Sequence, residues 1–435
     1  MPRATNTRAR RGAVVILIAL VLAGLLSVTA IAVDGGLLQD NRRRVQAGAD
    51  MAALAAGGQL FANYPEIVLS NYKLADPGGA AEAAAFADAA ANGYTNDGVD
   101  SAVTVNIPPK SGPFTGKVGW VEVIITYNQP RYFSAIWGIT RLPITCRAVA
   151  RGRWAASGDG IIVLDPVAKD SLNAGGTGAT LVTGGAHVIV DSSNSSAARD
   201  TGGGGMTAAE FDVTGGEVGP FNGTMKTGTL PIPDPLAYLP PPPVPPDGTI
   251  SVKGIGSGNK QYTLTPGRFS NLPTFNQGDV VIFEQASYGN GGIYYLAQGG
   301  LNSTGANLLM DPQTTGGIMI YNNPANSSNS QGISIQGNAS GTVNLAPLDS
   351  GPYSGILLWQ NRTATQIMSL SGNGSFNLSG TFYAANAQLK VTGNGVATIG
   401  SQYISRTFTI GGGGTVLINY TDKGTARIRD IRLVE

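Results

Sequence analysis

Side chains able to do chemistry are scarce in this 435-residue chain. It holds one histidine, His187, and one cysteine, Cys146. A Ser-His-Asp triad would have to be built on His187 itself, and His-based metal sites take two or three imidazoles, so the sequence leaves little room for either. His187 lies in the alternating run Ala186–Val190 and reads as a structural histidine. Cys146 has no second thiol for an intramolecular disulfide and reads as a small core residue. Carboxylate pairs able to cleave or eliminate at a glycosidic bond need two acids on one face. From Gly248 onward the acids are only Asp279, Glu284, Asp311, Asp349, Asp422, Asp430 and Glu435, and no two are spaced i, i+2. The four-glycine runs Gly202–Gly205 and Gly411–Gly414 lack the following Lys-Ser/Thr of a phosphate loop. The expectation is therefore a chain with no catalytic, cofactor-binding or metal-ligating residue.

The elements around these residues carry more information. Ala13–Val33 is uncharged and apolar, and 21 helical residues span roughly 31 Å, the depth of a bilayer's hydrocarbon core. Arg3, Arg8, Arg10 and Arg11 precede it, which favours an N-terminus in the cytoplasm and the remainder outside, in a periplasm or at a cell surface. A cleaved signal peptide is the competing reading, with Ala30-Ile31-Ala32 as an A-x-A site, but the apolar run is long for one. Net charge is +1 and charged residues are 13%, so nothing points to nucleic acid.

Beyond the span, Leu38, Val45, Ala49, Ala52 and Ala56 form one helical stripe. It suits packing on the chain's own sheet or against a neighbouring helix. Asp76-Pro-Gly-Gly stops this helix, and Ala80–Ala91 is a second one, closed by Asn92-Gly93.

The motif Arg11-Gly12, the apolar run, Asp34-Gly35-Gly36, Arg43-Arg44-Val45-Gln46 and Ala49-Asp50-Met51-Ala52-Ala53 resembles the N-terminal segment of TadG-like proteins of the Flp (tight adherence) pilus-assembly system. The resemblance covers about residues 10–60. Gly48 departs from the family pattern. The resemblance implies an inner-membrane anchor with an external C-terminal part, and nothing catalytic. Within it Asp34 is expected hydrated at the membrane exit, Gly35-Gly36 permits a bend, and Asp50 is either solvated or paired with a neighbouring helix. Many TadG-like proteins continue into a von Willebrand A domain, whose D-x-S-x-S holds a divalent metal. Here Ile161–Asp165 is followed by Pro166, Val167, Ala168 and Lys169, so both serines are lost and the metal site with them.

Residues 102–156 switch to period two. Val121, Val123, Ile125 and Tyr127 mark a strand ended by Pro130, and RYFSAIWG (Arg131–Gly138) is an aromatic connector. A second strand puts Ile144, Cys146, Ala148, Ala150 and Trp154 on one face and Arg147, Arg151 and Arg153 on the other. The arginine face is either solvated or a site for an acidic polymer. Long helix plus small sheet resembles pilin-like and pseudopilin-like subunits in architecture alone.

From Ser157 onward short aliphatic runs alternate with Gly, Asn, Ser and Thr at irregular spacing. That texture predicts a Gly/Asn-rich parallel β-helix stabilised by Asn ladders and aliphatic stacks, with a β-sandwich as runner-up. The proline run 230–246 must lie outside any ladder, along one continuous β-helix or as a hinge. RIRDIRLVE (Arg427–Glu435) reads as a capping strand for the solenoid end. The fold expected is thus membrane-anchored and mainly β: a tip (1–12), a transmembrane helix (13–33), a pilin-like helix and small sheet (34–156), and a β-domain (157–435). Function follows as assembly or anchoring of a Tad-type pilus or related surface structure. Partners are then the membrane, pilus or secretion components and, in the alternative, extracellular polysaccharide. That alternative is a membrane-anchored lyase or glycosidase, or a glycan-binding adhesin.

Overall fold

The computed structural model describes residues 8–132, 138, 141–325, 331–337, 341–372, 375–394, 397–422 and 424–435. The tip residues 1–7 and most of the connector 131–138 lie outside the described residues. The chain divides into two units, Met1–Trp154 with Arg429–Glu435, and Ala155–Ile428.

In the first unit helix α1 runs unbroken from Arg8 to Ala62. Among the described residues it is the one helix long and apolar enough to cross a membrane. Gly35 and Gly36 stay inside it, and no break forms at the expected bend. A short helix α2 (Tyr64–Leu69) and helix α3 (Ala80–Ala91) follow. The Asp76 carboxylate accepts from the backbone N–H of Ala81 and Glu82, both at 3.0 Å, and so satisfies orphan donors of α3. Strands β1 (Ser101–Asn106), β2 (Trp120–Pro130) and β3 (Arg141–Ala155) form an antiparallel sheet. The C-terminal strand Ile428–Leu433 completes it beside β3. This corrects the solenoid cap expected there: Val149 N–H donates to the Glu435 carbonyl at 2.9 Å and Val434 N–H to the Val149 carbonyl at 2.8 Å. Val45, Ala49, Ala52, Ala53 and Ala56 of α1, Ala81, Ala85 and Ala89 of α3, and Val121, Val123, Ile125, Ala148 and Ala150 of the sheet are fully buried in one core. Small side chains allow this close approach of helix backbone to sheet.

The second unit is almost wholly β. Over Asn259–Gln360 each strand pairs in parallel with the third strand after it. One column of strands starts at Gly267–Phe269 and passes through Ile293–Leu296, Met319–Asn322, Ile356–Gln360, Thr381–Gly393 and Gln402–Gly411. It continues into Asp159–Val163 and His187–Val190, so the last layers of the sequence pair with the first. Two more columns run from Asn259–Leu264 and from Phe275–Asn276 in the same order. Strand alternation sends every second residue inward. In the first column Tyr294, Ile320, Leu358, Phe382, Tyr403, Ile161, Val188 and Phe211 form one internal row, none more than 1% exposed. Polar ladders join neighbouring layers: Asn361 Nδ2 donates to Asn323 Oδ1 at 2.6 Å and Asn377 Nδ2 to Asn344 Oδ1 at 2.9 Å.

Candidate functional site

The motif residues of α1 fall into two groups. Arg11 and Gly12 lie in the helix's first turns. Asp34 is partly buried, and a Cβ added at Gly35 or Gly36 would meet nothing within 4 Å. The second group faces the sheet. Gln46 Nε2 donates to Asp50 Oδ1 at 2.7 Å and to the Arg147 carbonyl at 3.1 Å. Asp50 therefore has its partner one turn back on its own helix. Ala49, Ala52 and Ala53 are the contact surface for the sheet and α3. Gly48 has a steric reason, since a Cβ there would lie 2.6 Å from Tyr94 Cε2.

Residues 12–59 match the family model described as "Putative Flp pilus-assembly TadE/G-like". No curated protein and no solved structure matches the chain. The TadE/G-like segment is thus the apolar span plus the part of α1 that packs on the sheet.

The arginine face opposite that segment is internally paired. Glu122 is fully buried and accepts from Asn106 Nδ2 at 2.7 Å, Lys110 N–H at 3.1 Å, Arg147 Nε at 2.6 Å and the Ser111 hydroxyl. Burial pushes its pKa up, but these four donors outweigh it and hold the carboxyl down at about 2. Arg147 also pairs with Glu435, and Asp430 takes Arg151 at 2.6 Å and Arg153 at 3.5 Å. The acids of RIRDIRLVE are the counterions of the β3 arginines, which are thereby neither a solvated face nor a free acidic-polymer site.

In the second unit the outward row beside the internal one is aromatic, then aliphatic: Tyr295, Tyr321, Trp359, Tyr383, Ile404, Ile162 and Ile189. The proline segment covers it, burying Leu236 and Leu239 in the same cluster. Four polar ties hold the strap. Ile232 N–H donates to Asp191 Oδ1 at 3.0 Å, the Tyr383 hydroxyl donates to Asp234, Arg362 donates to the Leu236 carbonyl, and the Tyr238 hydroxyl donates to the Arg427 carbonyl at 2.6 Å. Arg362 also lies 5.3 Å over the rings of Trp359 and Tyr383.

Register assembles two acidic groups that sequence spacing hides. His187, Glu210 and Asp212 bring ligand atoms within 4.8 Å of one another, and could hold a cation. Lys226 already sits on Glu210 at 2.5 Å, so the group as it stands is an ion-pair network. Asp159, opposite His187, is pushed up to about 6, chiefly by burial, with His187 and Ser157 opposing. Glu284 lies beside Asp311 of the next layer, and burial with that neighbour's charge raises its pKa. Only a register linking residues 23 to 27 apart could have revealed either group. Asp165 caps a turn through Val167 and Ala168 N–H at 3.0 and 2.7 Å and pairs with Arg406 at 2.8 Å. Burial works against these bonds, and the net effect is a lowered pKa.

Proposed function

We propose that the chain is a structural, single-pass component of a Tad-type pilus or a related surface structure, without enzymatic activity. Residues 13–33 cross the bacterial inner membrane with the N-terminus in the cytoplasm. The rest of α1 and its sheet form a pilin-like base, and residues 155–428 form a parallel β-helix on the far side of the membrane. The observation that carries this is the family match over 12–59, which covers the span and the stalk together. The apolar run is longer than the roughly 7–15 residues of a signal peptide's apolar region, which favours a retained anchor over cleavage. The parallel pairing of each strand with the third one on, in three columns, favours a β-helix over a sandwich. Partners on this reading are the bilayer and pilus or secretion components. Deleting the gene is expected to abolish pili and surface attachment; wild-type levels of both would refute it.

The alternative, an anchored carbohydrate-active enzyme, has one observation in its favour, the carboxylate pair Glu284 and Asp311 on neighbouring layers. Release of reducing or unsaturated sugars from envelope polysaccharide, lost in Glu284→Gln, would favour it. Glycan binding without turnover would favour an adhesin.

A further inference from the structure

We propose that a second copy of this chain docks end to end on the strand columns of the second unit. The end at Phe221–Thr227 of one copy seats on the end at Asp247–Gly256 of the next. The inference goes beyond a pilus role and uses the strand pairing alone, so it holds whether or not residues 13–33 cross a membrane.

Both ends of the columns present a free edge. Among the described residues Phe221–Thr227 pairs with Met206–Val213 alone, and Ile250–Gly256 with Asn259–Leu264 alone. The outward N–H and C=O groups of such terminal strands are a template for pairing with another chain.

The inward side chains match across the joint. From Asn222 the strand partners lead in ten steps to Ser251 at the opposite end of the same column. The neighbouring inward row therefore begins at Phe221 and ends at Tyr262 and Val252, which face one another as a cross-strand pair. Phe221 packs on the core but is only partly covered, and Val252 is 54% exposed. A copy placed one strand spacing further on, about 4.8 Å, sets Phe221 against Val252 and continues the row.

Charge gives a second, independent match in the next column. From Lys226 the partners run through Asp212, Tyr383 and Tyr295 to Arg268 and Asp247. Across the joint this column reads Asp212, Lys226, Asp247, Arg268, with the sign alternating at every step. Lys226 and Asp247 are both exposed. Each keeps its own neighbour, Glu210 at 2.5 Å and Arg268 at 3.4 Å, and the joint sets them opposite one another as well. Like charges opposed at such a joint would be destabilising; opposite ones are favourable. Each copy uses two different ends, so the contact is heterologous and propagates as a row of copies rather than closing on a pair.

The test uses the full chain in dodecyl maltoside, in a Cys146→Ala background, with Phe221→Cys and Val252→Cys made singly and together. Ten strand spacings put the two positions about 48 Å apart within one chain, so a disulfide between them joins two copies. Oxidation with copper phenanthroline is expected to give a ladder of dimers, trimers and longer species from the double variant. An equal mixture of the single variants should give dimers and nothing longer, and either single variant alone should stay monomeric. Dimers from one single variant alone, or no ladder from the double variant, overturn the proposal. Sedimentation of chains that keep Phe221 and Val252 supplies a second measurement. Lys226→Glu and Asp247→Lys are each expected to weaken association several-fold and the double reversal to restore it; a double reversal no better than the single ones overturns the proposed register.

Discussion

The Tyr383 hydroxyl donates to the carboxylate of Asp234, 149 residues earlier in the chain. Arg362 Nε donates in turn to the Tyr383 oxygen at 2.6 Å, so one tyrosine links the strap to the strand column beneath it. Tyr383→Phe is expected to cost about 1.5–3 kcal/mol, the worth of a hydrogen bond to a charged group. Leu236→Ala should cost about 2–5 kcal/mol, since Leu236 is fully buried. Urea unfolding gives the magnitudes. Hydrogen exchange should rise in 230–246 and at Trp359 and Tyr383 before it rises elsewhere in the unit; uniform change would show that the strap is not a separate element.

Asp159 and Glu122 titrate with opposite effects on stability. A folded-state value of about 6 for Asp159 lies above the ordinary aspartate value, so its contribution is full below about pH 4 and lost as pH rises through 6. Asp159→Asn should therefore stabilise the second unit at pH 7 by up to about 3 kcal/mol, at about 1.4 kcal/mol per pKa unit, and change little at pH 4. Calorimetry at the two pH values separates this from a general packing effect.

Glu122 is held at about 2, so its contribution is present above about 4.5 and disappears as pH falls towards 2. Glu122→Ala leaves Arg147 and Asn106 without this acceptor and should cost the first unit about 3–5 kcal/mol at neutral pH. The acid limb of its stability profile should flatten in the variant. A limb unchanged in slope would assign the acid sensitivity to other carboxyls.

Two glycines of the base differ in what surrounds them. A Cβ at Gly152 would fall 1.8 Å from the Gly57 carbonyl oxygen, while one at Gly48 meets the Tyr94 ring edge at 2.6 Å. Backbone cannot rotate away and a ring can. Gly152→Ala should thus exceed the usual overpacking cost of about 1–3 kcal/mol, and Gly48→Ala should fall within it. Thermal melts of the two variants rank them, and equal losses would refute the close backbone contact.

Periodicity made the base readable. The alanine stripe of α1 and the alternation from Val121 to Tyr127 each report a buried face within one element. The strand column was not readable, because its layers differ in length. Val281 pairs with Leu308, Leu308 with Val343, Val343 with Phe376 and Asn377 with Thr398, steps of 27, 35, 33 and 21 residues. Proline marked 230–246 as outside the ladder, yet the aromatic row it covers exists only once Tyr295, Tyr321, Trp359 and Tyr383 are in register. RIRDIRLVE was misplaced for a related reason. Its acids and the β3 arginines are complementary only when the two strands meet, and in sequence each looks like an isolated run of charge.

The seam between the last and first strands of the column sets a schedule for biosynthesis. Strand Asp159–Val163 is made early and pairs on one side with Gln402–Gly411, made some 240 residues later. At about 5–20 residues per second the wait is on the order of ten to fifty seconds. Through that interval the early layers present an open edge in whatever compartment the growing chain has entered. A chaperone that shields β edges would be needed most while the chain is between residues 227 and 402, and a stop codon anywhere in that window would leave the early layers permanently half-paired.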